Sequence, residues 1–227
     1  LPHLESRIEL YTGREPVFDA FEIEMEINRS LDRKIWLKSG GYIVIEQTEA
    51  LCTIDVNTGR FVGERNPEET VLKTNLEAIK EIVYQVRLRN IGGLIIIDFI
   101  DMEKEESKEK LFQTLEEALT RDRSKTNILK ISELGLVEMT RQRVRESLGR
   151  TLCQPCPYCD GQGNIKSATT VCYEVFREIR RASNASLGSH KVLVTVHPEV
   201  ADLLLEEKEA AYLEQLERDI QKKIVIQ

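Results

Sequence analysis

The chain has 227 residues, with 32 Lys and Arg against 39 Asp and Glu, and a formal charge of -7. With 41% hydrophobic and 31% charged residues it can build one sizeable domain with an appendage, or two small ones. No window approaches the ~18 apolar residues of a membrane span, and the negative charge excludes nucleic-acid binding by bulk electrostatics alone, though not a local basic strip or a metal bridging to phosphate.

The start, Leu1-Pro2-His3-Leu4, carries neither an initiating Met nor a signal-peptide pattern, so the chain is expected to begin partway through a longer protein. Residues 16–34 read as a helix with Phe18, Phe21, Ile23, Met25 and Ile27 on an imperfect apolar face. Two β-rich runs, Lys34 to Leu37 and Tyr42 to Glu46, surround Ser39-Gly40-Gly41 and predict a hairpin. A strand from Ala50 to Asn57 follows, carrying Asp55, and Asn57-Thr58-Gly59 turns the chain out of it.

Asn66 and Pro67 open a helix as cap and first helical residue, with Glu69 three positions past the cap. Val71, Leu72, Leu76, Ile79, Ile82, Val83 and Val86 make one apolar stripe that runs to about Leu88, and Asn90 and Gly92 end it. The run Gly92-Gly93-Leu94-Ile95-Ile96-Ile97-Asp98 then reads as a strand buried on both faces. A helical crossover between neighbouring strands makes them parallel. Asp55 and Asp98 would therefore converge at one sheet edge, with Asn57, two residues on, facing the same side.

Further on, the sequence predicts a helix from Glu105 to Arg121, a strand from Thr126 to Ile131, and a basic turn or helix start over Thr140 to Arg145. Gly149 to Lys166 is turn-rich. A helix (Val171 to Arg181), a strand (His190 to His197), a helix (Pro198 to Leu216) and a last strand (Lys223 to Ile226) form a small α/β tail expected to lean on a neighbour. The fold class is α/β: a mixed sheet flanked by helices, a cysteine knuckle and a small α/β domain, divided at residues 1–149, 150–166 and 167–227.

Asp55, Asn57 and Asp98 form an oxygen-only set of the kind Mg²⁺ accepts, since that ion takes one or two carboxylates and completes its shell with water and phosphate. The alternative is structural, with Asp55 capping its turn and Asp98 bonding a loop. Asp101 is a weaker ligand candidate that could equally cap the next helix. The histidines His3, His190 and His197 lie far from these acids in sequence, which argues against a histidine-based acid–base pair.

The five cysteines are odd in number, and Cys153, Cys156 and Cys159 crowd into seven residues. This points to a reducing, cytoplasmic setting and a metal, and away from a disulfide framework. Cys156-Pro157-Tyr158-Cys159 with glycines behind it is half of a tetrahedral zinc site, and two chains each giving Cys156 and Cys159 would complete it. A turn of free thiols is the alternative. Cys52 and Cys172 read as core. Arg121, Arg123 and Lys125, then Arg141, Arg143 and Arg145, are either solvated faces or phosphate contacts.

Several blocks together resemble the ribonuclease E/G family. They are Thr53-Ile54-Asp55-Val56-Asn57, Asn75-Leu76-Glu77-Ala78, Arg87 to Gly93, Ile97 to Met102, Arg141-Gln142-Arg143 and Cys156-Pro157-x-Cys159-x-Gly161-x-Gly163. The resemblance implies a DNase-I-like subdomain with Mg²⁺ (or Mn²⁺) on Asp55 and Asp98, assisted by Asn57. It implies hydrolysis of single-stranded RNA to 5′-phosphate and 3′-hydroxyl ends, in rRNA maturation and mRNA decay, within a bacterial cytoplasm. It also implies a Zn²⁺ shared by Cys156 and Cys159 of two protomers. Lys125 falls at a basic position of the active-site surface, where family members often carry Arg. Arg123, Lys125, Arg141 and Arg143 are the expected contacts to the RNA backbone. The family's N-terminal oligonucleotide-binding barrel and 5′-monophosphate pocket have no counterpart in these residues. A zinc-assembled RNA-binding scaffold without catalysis is the alternative function.

Overall fold

A computed structural model describes residues 8–59, 67–129, 131–132, 135–185 and 190–227. The expected cap Asn66 and His3 lie outside them. The chain divides into two compact units, Leu1–Gln154 and Pro155–Gln227.

In the first unit the expected helix over residues 16–34 is two helices, α1 (Val17–Ala20) and α2 (Ile23–Leu31), broken where Glu22 takes a left-handed φ of 56°. Most of its apolar positions stay in water: Val17, Phe18, Phe21, Ile23 and Met25 are all exposed. The hairpin forms as expected, with β1 (Lys34–Trp36) antiparallel to β2 (Tyr42–Gln47), and β2 pairs with β3 (Leu51–Asn57). Helix α3 (Pro67–Leu88) crosses over to β4 (Gly93–Asp98), which lies parallel to β3. Helix α4 (Glu105–Leu119) leads to β5 (Thr126–Ile128), shorter than expected.

The segment read as a basic turn closes a sixth strand, β6 (Leu136–Arg141), which inserts antiparallel between β4 and β5. The order in the sheet is β1-β2-β3-β4-β6-β5. Alternation decides which side is core. Ile35, Ile43, Ile45, Cys52, Ile54, Val56, Ile95, Ile97, Val137 and Met139 pack with the stripe of α3 and with Leu111, Leu115 and Leu119 of α4. The opposite side holds Val44, Thr53, Ile96 and Glu138 half-buried and Asp55, Leu94, Asp98 and Thr140 exposed. The strand carrying Asp98 is therefore buried on one face only. The apolar run misled because Leu94 and Ile96 occupy the open face, where composition alone cannot place them.

A short helix, α5 (Leu148–Leu152), ends the first unit. The cysteine knuckle begins the second, which contains α6 (Ala168–Ala185), β7 (Lys191–Val194), α7 (Pro198–Leu204), α8 (Glu207–Ile220) and β8 (Lys223–Ile226). Strands β7 and β8 are parallel, and Cys172, Phe176, Ile179, Leu204 and Leu216 lie in the core of this unit. Leu193 and Val225, partners in register, remain exposed.

Arg141 anchors the far end of the large sheet. Its Nε and a terminal nitrogen donate to the two oxygens of Asp122 at 2.7 and 3.1 Å, and its other terminal nitrogen donates to the Ile91 carbonyl at 2.7 Å. Both side chains are almost fully buried. Burial works to raise the Asp122 carboxyl's pKa, but the hydrogen bonds from Arg141 and the Ser124 N–H outweigh it and hold the group below its ordinary 3.8. The pair's contribution is therefore whole above pH 3.8 and lost as pH falls through the lower, folded value. Asp122→Ala should cost ~3–5 kcal/mol at neutral pH by leaving the guanidinium buried and unpaired. In urea melts its gap from wild type should narrow as the pH drops below 3.8.

Candidate active site on the open sheet face

The acid pair is set by strand register. Asp55 and Asp98 are direct partners across the parallel β3–β4 pair, each near the C-terminal end of its strand. Adjacent strands lie ~4.8 Å apart, so the two carboxylates rise side by side from the open face. Asn57 donates from Nδ2 to Asp55 Oδ2 at 2.7 Å and fixes that carboxylate. The Asp98 carboxyl is pushed above its ordinary range, first by burial and then by the charges of Asp55 and Asp101. Asp101 does not cap α4, whose cap position is Lys104. Its role here is the negative charge it turns toward Asp98.

Helix α3 supplies the supports that sequence reasoning did not assign. Asn75, fully buried, donates to the Ile100 carbonyl at 2.8 Å and accepts from the Ile100 N–H at 3.1 Å. This pins the loop that leaves Asp98. The Glu77 carboxylate accepts from the N–H groups of Lys38 and Ser39, at 2.7 and 3.2 Å, and pins the β1–β2 turn. Glu68 accepts from Glu103 and Lys104 N–H ahead of α4. The available signal was Asn75 itself, a poor helix former amid an apolar stripe. Two glycines complete the frame. A Cβ on Gly41 would lie 2.7 Å from the Asn57 carbonyl, and one on Gly59, at φ 64°, 2.3 Å from that of Gly40. Only glycine lets the two turns approach beside Asn57.

The expected RNA contacts lie elsewhere. Strand β6 places Leu136 opposite Asp98 and Arg141 opposite Gly93, at the other end of β4. That is five residues, ~17 Å, from the acids. Lys125, whose carbonyl accepts from the Gln142 N–H, shares this far edge, and it and Arg123 are exposed. Arg143 donates from Nε to the Gly92 carbonyl at 2.9 Å and lines, with Arg145 and Arg150, a cavity of about 310 Å³. Arg141 is withdrawn from the set of candidate RNA contacts, because its guanidinium is buried and spent on Asp122 and Ile91. Of these, only Lys125 was expected on the active-site surface, and β6 sets where the arginines after it lie.

Among the described residues, no three His, Cys, Asp or Glu side chains converge as a cage for a metal. The acid pair suits instead an ion that needs two carboxylates and retains water, which is the habit of Mg²⁺. Apart from the Asn57 amide, no cation or donor among the described residues answers either carboxylate. The knuckle has the donor chemistry for zinc. The N–H groups of Tyr158 and Cys159 bond the Cys156 sulfur and lower its pKa, and the Gly163 N–H lies 3.3 Å from Cys159 Sγ. Asp160, Gly161 and Gly163 adopt left-handed φ values that bend the loop around these sulfurs. Cys52 and Cys172 are buried, as expected, and burial pushes the Cys52 thiol up to about 11.

Comparison with known proteins bears on both units. The model of the Ribonuclease E/G family matches residues 1–144, and that of the RNase E/G, Thioredoxin-like domain matches residues 155–227. Ribonuclease G of Escherichia coli strain K12 is 50% identical over 227 residues, covering all of this chain and 46% of that protein. Ribonuclease G of Haemophilus influenzae is 47% identical over 226 residues, again 46% of its length. Ribonuclease E of E. coli is 40% identical over 210 residues, 92% of this chain and 20% of that protein. The chain thus spans about half the length of the ribonuclease G relatives it matches.

An unneutralised acid pair has a thermodynamic signature. Magnesium at about a hundred times its dissociation constant should raise the unfolding free energy of the wild type by ~2.7 kcal/mol. Asp98→Asn should lose that gain, and in metal-free buffer should be at least as stable as wild type because one like charge is gone. Urea titrations with and without magnesium measure both.

Proposed function

The chain belongs to the ribonuclease E/G family, and we propose that it is the catalytic and dimer-forming portion of a magnesium-dependent endoribonuclease acting on single-stranded RNA. Its tasks would be RNA processing and turnover, rRNA maturation and mRNA decay among them, in a bacterial cytoplasm where thiols stay reduced. The observation that carries this reading is the in-register pair Asp55 and Asp98 on an open sheet face.

A Mg²⁺ (or Mn²⁺) held by Asp55 and Asp98 supplies Lewis acidity toward the phosphoryl group and a more acidic water. Hydrolysis adds the water oxygen to phosphorus and breaks the bond to the 3′ oxygen, which takes a proton and leaves as a 3′-hydroxyl. The other product keeps a 5′-phosphate. Asn57 holds the Asp55 carboxylate in place and orients the water or a phosphate oxygen. Asn75 and Glu77 keep the flanking loops fixed, so the acids are preorganised before substrate arrives. Arg123, Lys125 and Arg143 grip the RNA backbone at the far sheet edge, away from the bond that is cut.

Cys156 and Cys159 give two ligands to a zinc ion, and the same pair from a second copy gives the others. The exposed, paired Leu193 and Val225 support contact of the second unit with another chain.

Asp98→Asn should reduce cutting of a single-stranded oligoribonucleotide to background, and surviving turnover would remove Asp98 from the mechanism. Wild-type cutting should cease without magnesium and return when it is restored, with zinc left in place. Binding without any magnesium-dependent cutting would favour the scaffold reading. Zinc analysis should give about half an ion per chain, whereas one full ion refutes sharing.

A further inference from the structure

The open face carries a second cluster beside the acids. Trp36 is the chain's single tryptophan, and it is 60% exposed. Its ring meets Tyr42 edge-on, with centroids 5.3 Å apart and planes at 63°. Lys34 Nζ lies 4.1 Å from the Trp36 ring centroid and 3.6 Å from that of Tyr42. A cavity of about 540 Å³ opens there, lined by these three side chains with Gly40 and Gly59.

Strand register places this cluster with the acids. Lys34, Val44, Asp55 and Asp98 form one row across four strands, and Trp36, Tyr42 and Asn57 form the next. Tyr42 is directly opposite Asn57, so its diagonal neighbour Asp55 is ~7–8 Å away on the same face. A cross-strand aromatic pair steadies a hairpin, and a lysine guards an edge strand against pairing with other chains. Those roles explain the ring contact and Lys34. They do not explain why the largest side chain of the cluster keeps most of its surface in water, at the rim of a cavity, on the same face as the carboxylates and two strands from Asp55.

We propose that Trp36 and Tyr42 form a stacking platform for one base of the RNA, with Lys34 pairing a phosphate of the same nucleotide. The choice of RNA rests on the nuclease reading above. Every base presents a π-face, so an aromatic platform grips single strands with little regard to sequence. The flexible lysine stem lets Nζ swing from the ring faces to the backbone, and the base takes the space it leaves. The platform thereby seats a nucleotide next to the phosphodiester held at Asp55 and Asp98.

The single tryptophan makes the test direct. The full chain carrying Asp98→Asn is titrated with a single-stranded oligoribonucleotide, following Trp36 emission and, separately, the anisotropy of labelled RNA. Saturable quenching is expected, and Trp36→Ala in the same background should weaken binding by roughly tenfold. Trp36→Phe, which keeps a π-face, should retain most of the affinity and so guards against misfolding as the cause. An oligomer series with single abasic positions should include one member that binds as weakly to wild-type Trp36 as the intact oligomer does to Trp36→Ala. RNA bound with unchanged emission and unchanged affinity in Trp36→Ala overturns the platform, as does failure of the chain to bind RNA at all. The first result leaves the nuclease reading untouched, because that reading is judged by magnesium-dependent cutting, whereas a chain that binds no RNA counts against both.

Discussion

The parallel, in-register pairing of β3 and β4 is the constraint from which the rest of the site follows. It puts two carboxylates on adjacent strands at the same level, where burial and then the charge of Asp55 raise the cost of ionising Asp98. Side-chain flexibility offers little relief, because both acids rise from inner strands of a sheet whose other face is packed solid. On the proposed reading, a divalent cation sharing both charges would offset that cost. The like-charge contact that weakens the bare fold is thus what a metal would convert into affinity.

The supports around the pair follow the same logic of fixed geometry. Asn75 and Glu77, on neighbouring positions of α3, fasten loops on either side of the acids by bonding backbone groups. A side chain that satisfies both the N–H and the C=O of Ile100 leaves that loop no alternative hydrogen bonding to adopt. The close approach at Gly41 and Gly59 does the equivalent for the turn after Asn57. One helix therefore carries both the core stripe and the bracing of the site, Asn75 from within the stripe and Glu77 from another side. Substitutions on this helix can change activity without touching substrate.

Much of this was legible in the sequence because its signals are local. The stripe of α3, the Asn90 and Gly92 stop, and the short apolar runs on either side define a strand–helix–strand unit, and the chirality and parallelism of such a unit are physical consequences. The convergence of Asp55, Asn57 and Asp98 followed directly. What stayed hidden depends on partners far along the chain. Leu136 to Arg141 alternates over only six residues and becomes a strand because β4 has a free edge to offer. Once β6 is missed, nothing local ties Arg141 to the end of β4 that starts at Gly93. Arg141 looked like one more surface cation, and only Asp122, 19 residues earlier, makes it structural. The break at Glu22 and the open face bearing Leu94 and Ile96 leave no mark in residue type.

The distance between the two ends of β4 separates binding from chemistry. Charges in solvent are screened over ~8 Å at physiological ionic strength, and the far-edge cations stand ~17 Å from the acids by strand length. Lys125 and Arg143, anchored at that end, are placed to hold the RNA and not to meet charge developing at a phosphate between Asp55 and Asp98. On the proposed reading, they act on how long the RNA stays and how it lies. On a chain of net charge -7, a polyanion cannot be held by the average field, so grip must come from discrete contacts. The structure offers three kinds along one face and edge: an aligned acid pair, an aromatic pair with a lysine, and a cluster of arginines. On the proposed reading each works at contact range, which would let an acidic protein hold an acidic substrate without attracting every nucleic acid around it.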